Sequence, residues 1–233
     1  MDPHVLQSLN EARRARIASV LVTDLTDGRD RVVREGEAVT GALGEAIGRR
    51  LRSGQAGAET IEGREFFLNP HLPEPRLVVI GAVHISQVLA PMAAACGLAV
   101  TVIDPRTAFA SPERFQGIEL RAEWPDEALA SRPLDAHTAL AALTHDPKID
   151  DGPLLEALRA GCFYVGALGS RKTHARRRER LGEAGADEAM LERIEAPIGL
   201  DIGAASPAEI AVAVLGSVIA ARRRPGAGPA PGS

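Results

Sequence analysis

The run Leu77-Val78-Val79-Ile80, closed by Gly81, constrains this chain more than any other stretch. Four aliphatic residues without a polar break read as a strand covered on both faces, and such strands belong to parallel sheets. Val88, Leu89, Met92 and Ala93 then recur at helical spacing, and the next apolar run, Leu98 to Ile103, ends in Asp104. Strand, glycine turn, helix, strand and acid make the first βαβ unit of a nucleotide-binding Rossmann domain. The acid lies about 20 residues past the turn, where an acceptor for a ribose hydroxyl belongs. The turn departs from G-x-G-x-x-G, with Gly81, Val83 and Ser86 at the glycine positions. Val83 crowds the seat where the second glycine lets a pyrophosphate approach the backbone, so the motif specifies the fold and leaves a bound dinucleotide open.

With 233 residues the chain has room for one large domain or two small ones. A formal net charge of -4 gives no general reason to expect nucleic acid, and no apolar run approaches the length of a membrane span. Glu11, Arg13, Arg14 and Arg16 interrupt any signal-peptide core, and the two cysteines, Cys96 and Cys162, lack metal-ligand spacing. Both points agree with a reducing cytoplasm. The cysteines are read as buried thiols at helix-to-strand junctions, and no metal site is predicted.

Ahead of the Rossmann unit the pattern predicts a small α+β domain over residues 1–68. Residues 2–16 read as an amphipathic helix with Val5, Leu6 and Leu9 on one face. Ile17 to Thr23 reads as a strand, Asp27-Gly28 as a hairpin turn and Arg31-Val32-Val33 as the return strand. A helix is expected from about Glu37 to Arg52, ended by Ser53-Gly54. Thr60-Ile61 and Glu65 to Leu68 flank Glu62-Gly63 as a second hairpin. Residues 69–75 carry three prolines and are read as a linker, with the Rossmann-like domain over 76–221 and a disordered Pro/Gly-rich tail over 222–233.

After Asp104, an irregular loop over 105–115 starts where open α/β sheets place ligands. Arg106 there suits a phosphate or a surface salt bridge. Trp124-Pro125-Asp126 opens a short helical piece, and Thr138 to Leu143 is the next core strand. It runs into Thr144-His145-Asp146-Pro147-Lys148, where His145 reads either as an acid/base partner of Asp146 or as a hydrogen-bonded loop histidine. A helix over Asp151 to Ala160 leads to the strand Phe163-Tyr164-Val165 and a second glycine-containing turn, Gly166 to His174. Ser170 is a plausible N-cap there, and backbone N–H groups with Arg171 and Lys172 favour an anion. No branched residue intrudes, so this is the better phosphate cradle of the two. Arg176, Arg177, Arg178 and Arg180 are read as a solvated helix face. Ala196 to Gly203 reads as a strained loop lining a pocket, or as a simple connection between helices. Ser206-Pro207-Ala208-Glu209 is a capping box opening a terminal helix with Ile210, Val214 and Val218 on one face. The runs at about 77–80, 98–103, 138–143 and 162–166 are expected to form one parallel sheet with helices on both faces. Its carboxyl edge should gather Gly81, His84, Asp104, Arg106, His145, Gly169, Ser170 and Arg171.

From about Arg76 to Ile219 the chain resembles the xanthine dehydrogenase accessory protein family (XdhC/CoxI). The resemblance rests on Gly81-Ala82-x-His84, Val102-Ile103-Asp104-Pro105-Arg106, Phe109 to Phe115, Thr144-His145-Asp146, Gly166 to His174 and Pro197 to Gly203, in that order. It implies maturation of a molybdenum hydroxylase of the xanthine or carbon monoxide dehydrogenase type. In that role the protein binds the molybdenum cofactor, protects it during sulfuration and hands it to the apo-enzyme. The resemblance marks Gly81, His84, Asp104, Arg106, Thr144, His145, Asp146, Gly166, Gly169, Ser170, Arg171, His174, Gly199 and Asp201 as cofactor-binding, with no catalytic residue assigned. The implied partners are an apo molybdenum hydroxylase, a cysteine desulfurase and a second copy in a homodimer. Two departures stand out. Val83 replaces a usual glycine, and Thr40-Gly41-Ala42-Leu43-Gly44-Glu45 has no cysteine where longer members carry Gly-Gly-Cys and Gly-Ser-Ser-Pro signatures. The same fold also accommodates an NAD(P)-dependent oxidoreductase, which Asp104 favours, or a nucleotide-sensing module without chemistry.

Overall fold

Short-range pairing builds the first part of the chain and long-range pairing the second. The computed structural model describes residues 2–223, and its contacts divide them into two units that part after Pro73. In the first unit β1 (Ser19–Asp24), β2 (Asp30–Arg34), β3 (Gly57–Ile61) and β4 (Arg64–His71) form an antiparallel sheet in the order β2-β1-β4-β3. It carries α1 (Pro3–Arg14) and α2 (Gly41–Ser53). Both expected hairpins are present. Val20, Val22, Val33, Ile61 and Leu68 bury one face of the sheet against Ala46 and Ile47 of α2.

Two boundaries in this unit differ from the sequence reading. The second helix begins at Gly41 rather than Glu37, because the Glu37 carboxylate turns back onto the Arg34 amide and Thr40 is extended. Residues Asn69, Pro70 and His71, read as linker, are the end of β4. Pro70 lies opposite Val20 of β1, but the pairing with β3 stops at Leu68. The proline therefore stands where β4 has a neighbour on one side only, which a residue without an N–H tolerates.

The second unit runs β5 (Arg76–Ile80), α3 (His84–Ala95), β6 (Ala99–Ile103), β7 (Glu119–Arg121), α4 (Pro125–Ser131), β8 (Thr138–Ala142) and α5 (Pro147–Arg159). It continues through β9 (Tyr164–Ala167), α6 (Arg171–Glu183), α7 (Glu188–Glu192), β10 (Ile194–Glu195) and α8 (Pro207–Arg223). Its six strands lie in the order β10-β9-β8-β5-β6-β7, and every pair is parallel. That is the Rossmann arrangement, with its switch point between β5 and β8. Leu77 and Val79 share one core with Leu89 of α3 and Val214 and Val218 of α8. Val78 and Ile80 share the other with Leu129, Leu154, Leu158, Leu181 and Leu191 from α4 to α7. Helices thus cover both faces, as expected. Arg222 and Arg223, placed by the sequence reading in a tail, end α8; the rest of that predicted tail lies outside the described residues. Cys162 is buried, and burial pushes its thiol up to about 12, whereas Cys96 is exposed at the end of α3, contrary to the reading of two buried thiols.

The segment after β10 connects a strand to α8 and works by packing. The Glu195 carboxylate accepts from Tyr164 Oη (2.9 Å), the Gly199 amide (2.7 Å) and Ser217 Oγ (2.6 Å). Gly199 has φ +92°, and a Cβ there would lie 2.8 Å from the backbone of Ala213 and Val214. Gly199→Ala should therefore lower stability by about 2 kcal/mol or more, read as a lower denaturant midpoint. Gly182→Ala in α6, where an added Cβ meets nothing within 4 Å, should leave the midpoint unchanged or raise it.

Candidate functional site

The carboxyl edge of the parallel sheet presents two strand-to-helix turns in opposite states. The first follows β5. Gly81 has φ +112°, and a Cβ there would come 2.7 Å from Thr144 Cγ2, so this turn presses against the loop after β8 at the switch point. Asp104, after β6, is fully buried. Its carboxylate accepts from the Ala82 amide (2.8 Å), the Arg106 amide (2.9 Å), Arg106 Nε (2.9 Å) and Arg106 Nη2 (2.8 Å). Burial works against its charge, but the bonds from Arg106 and Ala82 prevail and hold the carboxyl below the usual carboxylate range. The Arg106 guanidinium also lies over the Phe109 ring, 4.5 Å from its centre. Ser86, fully buried, bridges the Val83 amide (2.8 Å) and the Gly81 carbonyl (2.5 Å) through its hydroxyl.

These contacts correct the reading of Asp104 as a ribose acceptor, because its oxygens are filled from within the chain. They also change the reason why the first turn suits a pyrophosphate poorly. Beyond the bulk of Val83, the Ala82 and Val83 amides are already engaged by Asp104 and Ser86. His84 is exposed in the first turn of α3.

The second turn is open. Gly169 has φ +136°, and a Cβ there would sit 3.2 Å from Thr173 Cγ2 and 3.8 Å from His145 Nδ1. Ser170 caps α6 by accepting from the Thr173 amide (3.2 Å). The Arg171 and Lys172 amides open the helix with no helical carbonyl behind them. Arg171 and Lys172 are exposed. His145 has φ +65°, and its ring reaches Gly169 across the strand ends. Asp146 is committed to the N-cap of α5, where it accepts from the Lys148 amide (3.0 Å). The Asp146 carboxylate thus serves the α5 cap, while the His145 ring turns toward Gly169.

Gly81, Thr144, His145 and Gly169 thus meet at one edge, with Asp104 and Arg106 beside them. The other candidates sit differently. Gly166 lies inside β9, where a Cβ would come 2.6 Å from Tyr164 Oη and 2.7 Å from Ile198 Cγ1. Gly199 packs on α8, and Asp201 is exposed beyond it. His174 Nδ1 is buried without a hydrogen bond; burial, then Arg177 and Arg178, depress its pKa.

Two residues at this edge escaped the sequence reading. Asp150, 1% exposed, accepts from Thr144 Oγ1 (2.7 Å) and the His145 amide (3.0 Å). Burial pushes its carboxyl up to about 6 despite those bonds and nearby Arg177. Arg177, taken for part of a solvated face, is 2% exposed and donates from Nη2 to the Leu168 carbonyl (3.0 Å). Its signal was helical spacing: His174, Arg177 and Leu181 recur on one stripe. Of its neighbours, Arg180 grips Asp151, Arg178 pairs with Glu188, and Arg176 is exposed. The folded chain holds the Asp150 proton more tightly than the unfolded chain, whose carboxyl titrates at about 3.9. Stability should therefore fall as pH rises from about 4 to about 6 and then level off, a loss of about 3 kcal/mol. Carboxyl NMR should place the Asp150 midpoint near the value of about 6, and Asp150→Asn should flatten that part of the stability profile.

The description that matches this architecture is the XdhC Rossmann domain, over residues 77–218. The chain is 29% identical over 174 residues to YqeB of Escherichia coli K12, described as uncharacterized, across 74% of this chain and 32% of that one. It is 32% identical over 153 residues to a Bacillus subtilis 168 protein named as a probable xanthine dehydrogenase component, across 65% and 44%. It is 38% identical over 96 residues to the molybdenum cofactor insertion chaperone PaoD of Escherichia coli K12, across 41% and 30%. It therefore spans less than half the length of each of these relatives. A solved structure of a xanthine dehydrogenase from Bacillus halodurans has the same fold, with a TM-score of 0.61 and 23% identity across 94% of this chain and 63% of that one. With a match that runs from the first Rossmann strand into the terminal helix, the chain belongs to the XdhC family.

Proposed function

We propose that the chain binds the phosphate-bearing molybdenum cofactor at the carboxyl edge of its parallel sheet and delivers it to an apo molybdenum hydroxylase. This is a chaperone's role and not the turnover of a metabolite. The observation that carries it is the contrast between the two turns. The Gly81 turn, the usual dinucleotide seat, has its amides tied to Asp104 and Ser86. The Gly169 turn leaves the Arg171 and Lys172 amides without a helical carbonyl and adds an exposed guanidinium at Arg171. A phosphate group fits that donor set, since a helix N-terminus and a guanidinium both favour an oxyanion. The relative named as a molybdenum cofactor insertion chaperone and the one named as a probable xanthine dehydrogenase component support the same reading.

On this reading Arg171 and the first amides of α6 anchor the phosphate. The neutral side of the edge, around Gly81 and Thr144, accepts the body of the molecule. The cofactor itself supplies the molybdenum chemistry of its client; the chain's residues bind and orient it and keep it from water. A cysteine desulfurase that sulfurates the held cofactor is the second partner this role calls for. An NAD-dependent reaction gains no support from Asp104, whose oxygens are occupied.

Charge-assisted hydrogen bonds contribute about 1.5–3 kcal/mol each. Arg171→Ala should therefore weaken cofactor binding by roughly ten- to a hundredfold and depress activation of a client enzyme, with the fold intact. Equal binding by wild type and Arg171→Ala would sink the anchor. In parallel, wild type titrated with NAD should show no saturation at micromolar levels. Val83→Gly alone should change this little, whereas Val83→Gly with Ser86→Gly frees the turn and should gain NAD affinity. Micromolar NAD binding by wild type would put the oxidoreductase ahead.

A further inference from the structure

We propose that the groove between α5 and α6 is an oxyanion pocket that seats a dianionic phosphate group on the buried guanidinium of Arg177. The groove is a cavity of about 350 Å³ whose border includes His145, Asp151, Lys172, Arg176, Arg177 and Arg180. Arg177 forms one hydrogen bond, from Nη2 to the Leu168 carbonyl, while Nε and Nη1 are buried with none. A buried guanidinium with two nitrogens unsatisfied is costly, and such groups are found where a ligand completes them. Asp151 does not do so: its Oδ1 stands 3.9 Å from Arg177 Nε. Both its oxygens are instead taken by Arg180, at 2.6 and 3.1 Å.

The charge balance points the same way. With Asp151 neutralised by Arg180 and the Asp150 carboxylate beside Arg177, Lys172 and Arg176 remain as two unbalanced cations around one cavity. The amide end of α6, a helix of 13 residues, adds its positive pole. His145 adds no further cation, because burial and Arg177 depress its pKa. A carboxylate ligand has one charge on two oxygens. A phosphate group spreads two charges over three, which suits the Arg177 donors left unfilled together with Lys172 and Arg176.

This inference deepens the cofactor reading by adding a second phosphate subsite beside the Arg171 anchor, and it rests on that reading only for the identity of the molecule. Its test uses simple probes on the full chain: inorganic phosphate and glycerol phosphate, titrated by calorimetry at low ionic strength and neutral pH. Wild type should bind each with saturation. Lys172→Ala and Arg176→Ala, both at exposed positions, should each weaken binding by about tenfold. Arg177→Lys keeps the charge and loses the fork, and should weaken it further. Arg29→Ala, on an exposed side chain of the first unit, removes one positive charge and should change nothing. Absence of saturable binding by wild type overturns the pocket, and so do Lys172→Ala and Arg176→Ala proteins that bind like wild type. Phosphate binding that behaves as described, in a chain that never activates a client, keeps the pocket and discards the chaperone.

Discussion

Asp104 has no exposure to solvent and is surrounded by four hydrogen-bond donors, and the asymmetry of the sheet edge depends on it. A buried carboxylate is tolerable only when its lone pairs are filled. Here the nearest donors are the first amide of the β5 turn and the arginine two residues on. Filling Asp104 therefore draws the Ala82 amide inward, and Ser86 takes the next one. What remains free lies after β9. Asp150 is treated in the opposite way: buried with two donors, its carboxyl rises where that of Asp104 falls. Two acids near one crevice thus have different charge states over mildly acidic pH, set by burial at Asp150 and by the guanidinium hydrogen bonds that Asp104 receives.

The sheet was legible because its strands are apolar runs that end in glycine or acid, and Leu77 to Ile80, Thr138 to Ala142 and their neighbours show this plainly. The elements that escaped notice are short or polar. Glu119-Leu120-Arg121 is an edge strand of three residues, and Ile194-Glu195 is one of two. Neither is long enough to show a period. Pro70 misled in the other direction, since a proline argues against a strand only where both neighbours need its N–H.

The site was legible in part. Ser170 and Gly169 announce a capped helix after a tight turn, and both are found so. Arg177 was not legible from its residue type, because α6 is charged along most of its length and only its bond to the Leu168 carbonyl distinguishes one arginine from the rest. Asp150 follows Asp146 by one helical turn, and sequence alone does not say which of them caps and which is buried. That is decided by Thr144, whose hydroxyl donates to Asp150. Asp104 had the right position and the wrong availability, a difference made by the guanidinium of Arg106.

The strand order has a consequence for how the chain is made. Every strand of the first unit pairs with partners that have emerged by His71, and none lies deep in the order of synthesis. The strand β5 is different: one neighbour, β6, follows within a single helix, but the other, β8, begins only at Thr138. Until then the central strand has one bare edge and half a core. A ribosome-bound chain of that length holds a finished antiparallel unit joined to an open parallel one. The closure that brings Thr144 against Gly81 removes the bare edge of β5, and the Gly169 turn joins that end of the sheet only when β9 has paired with β8.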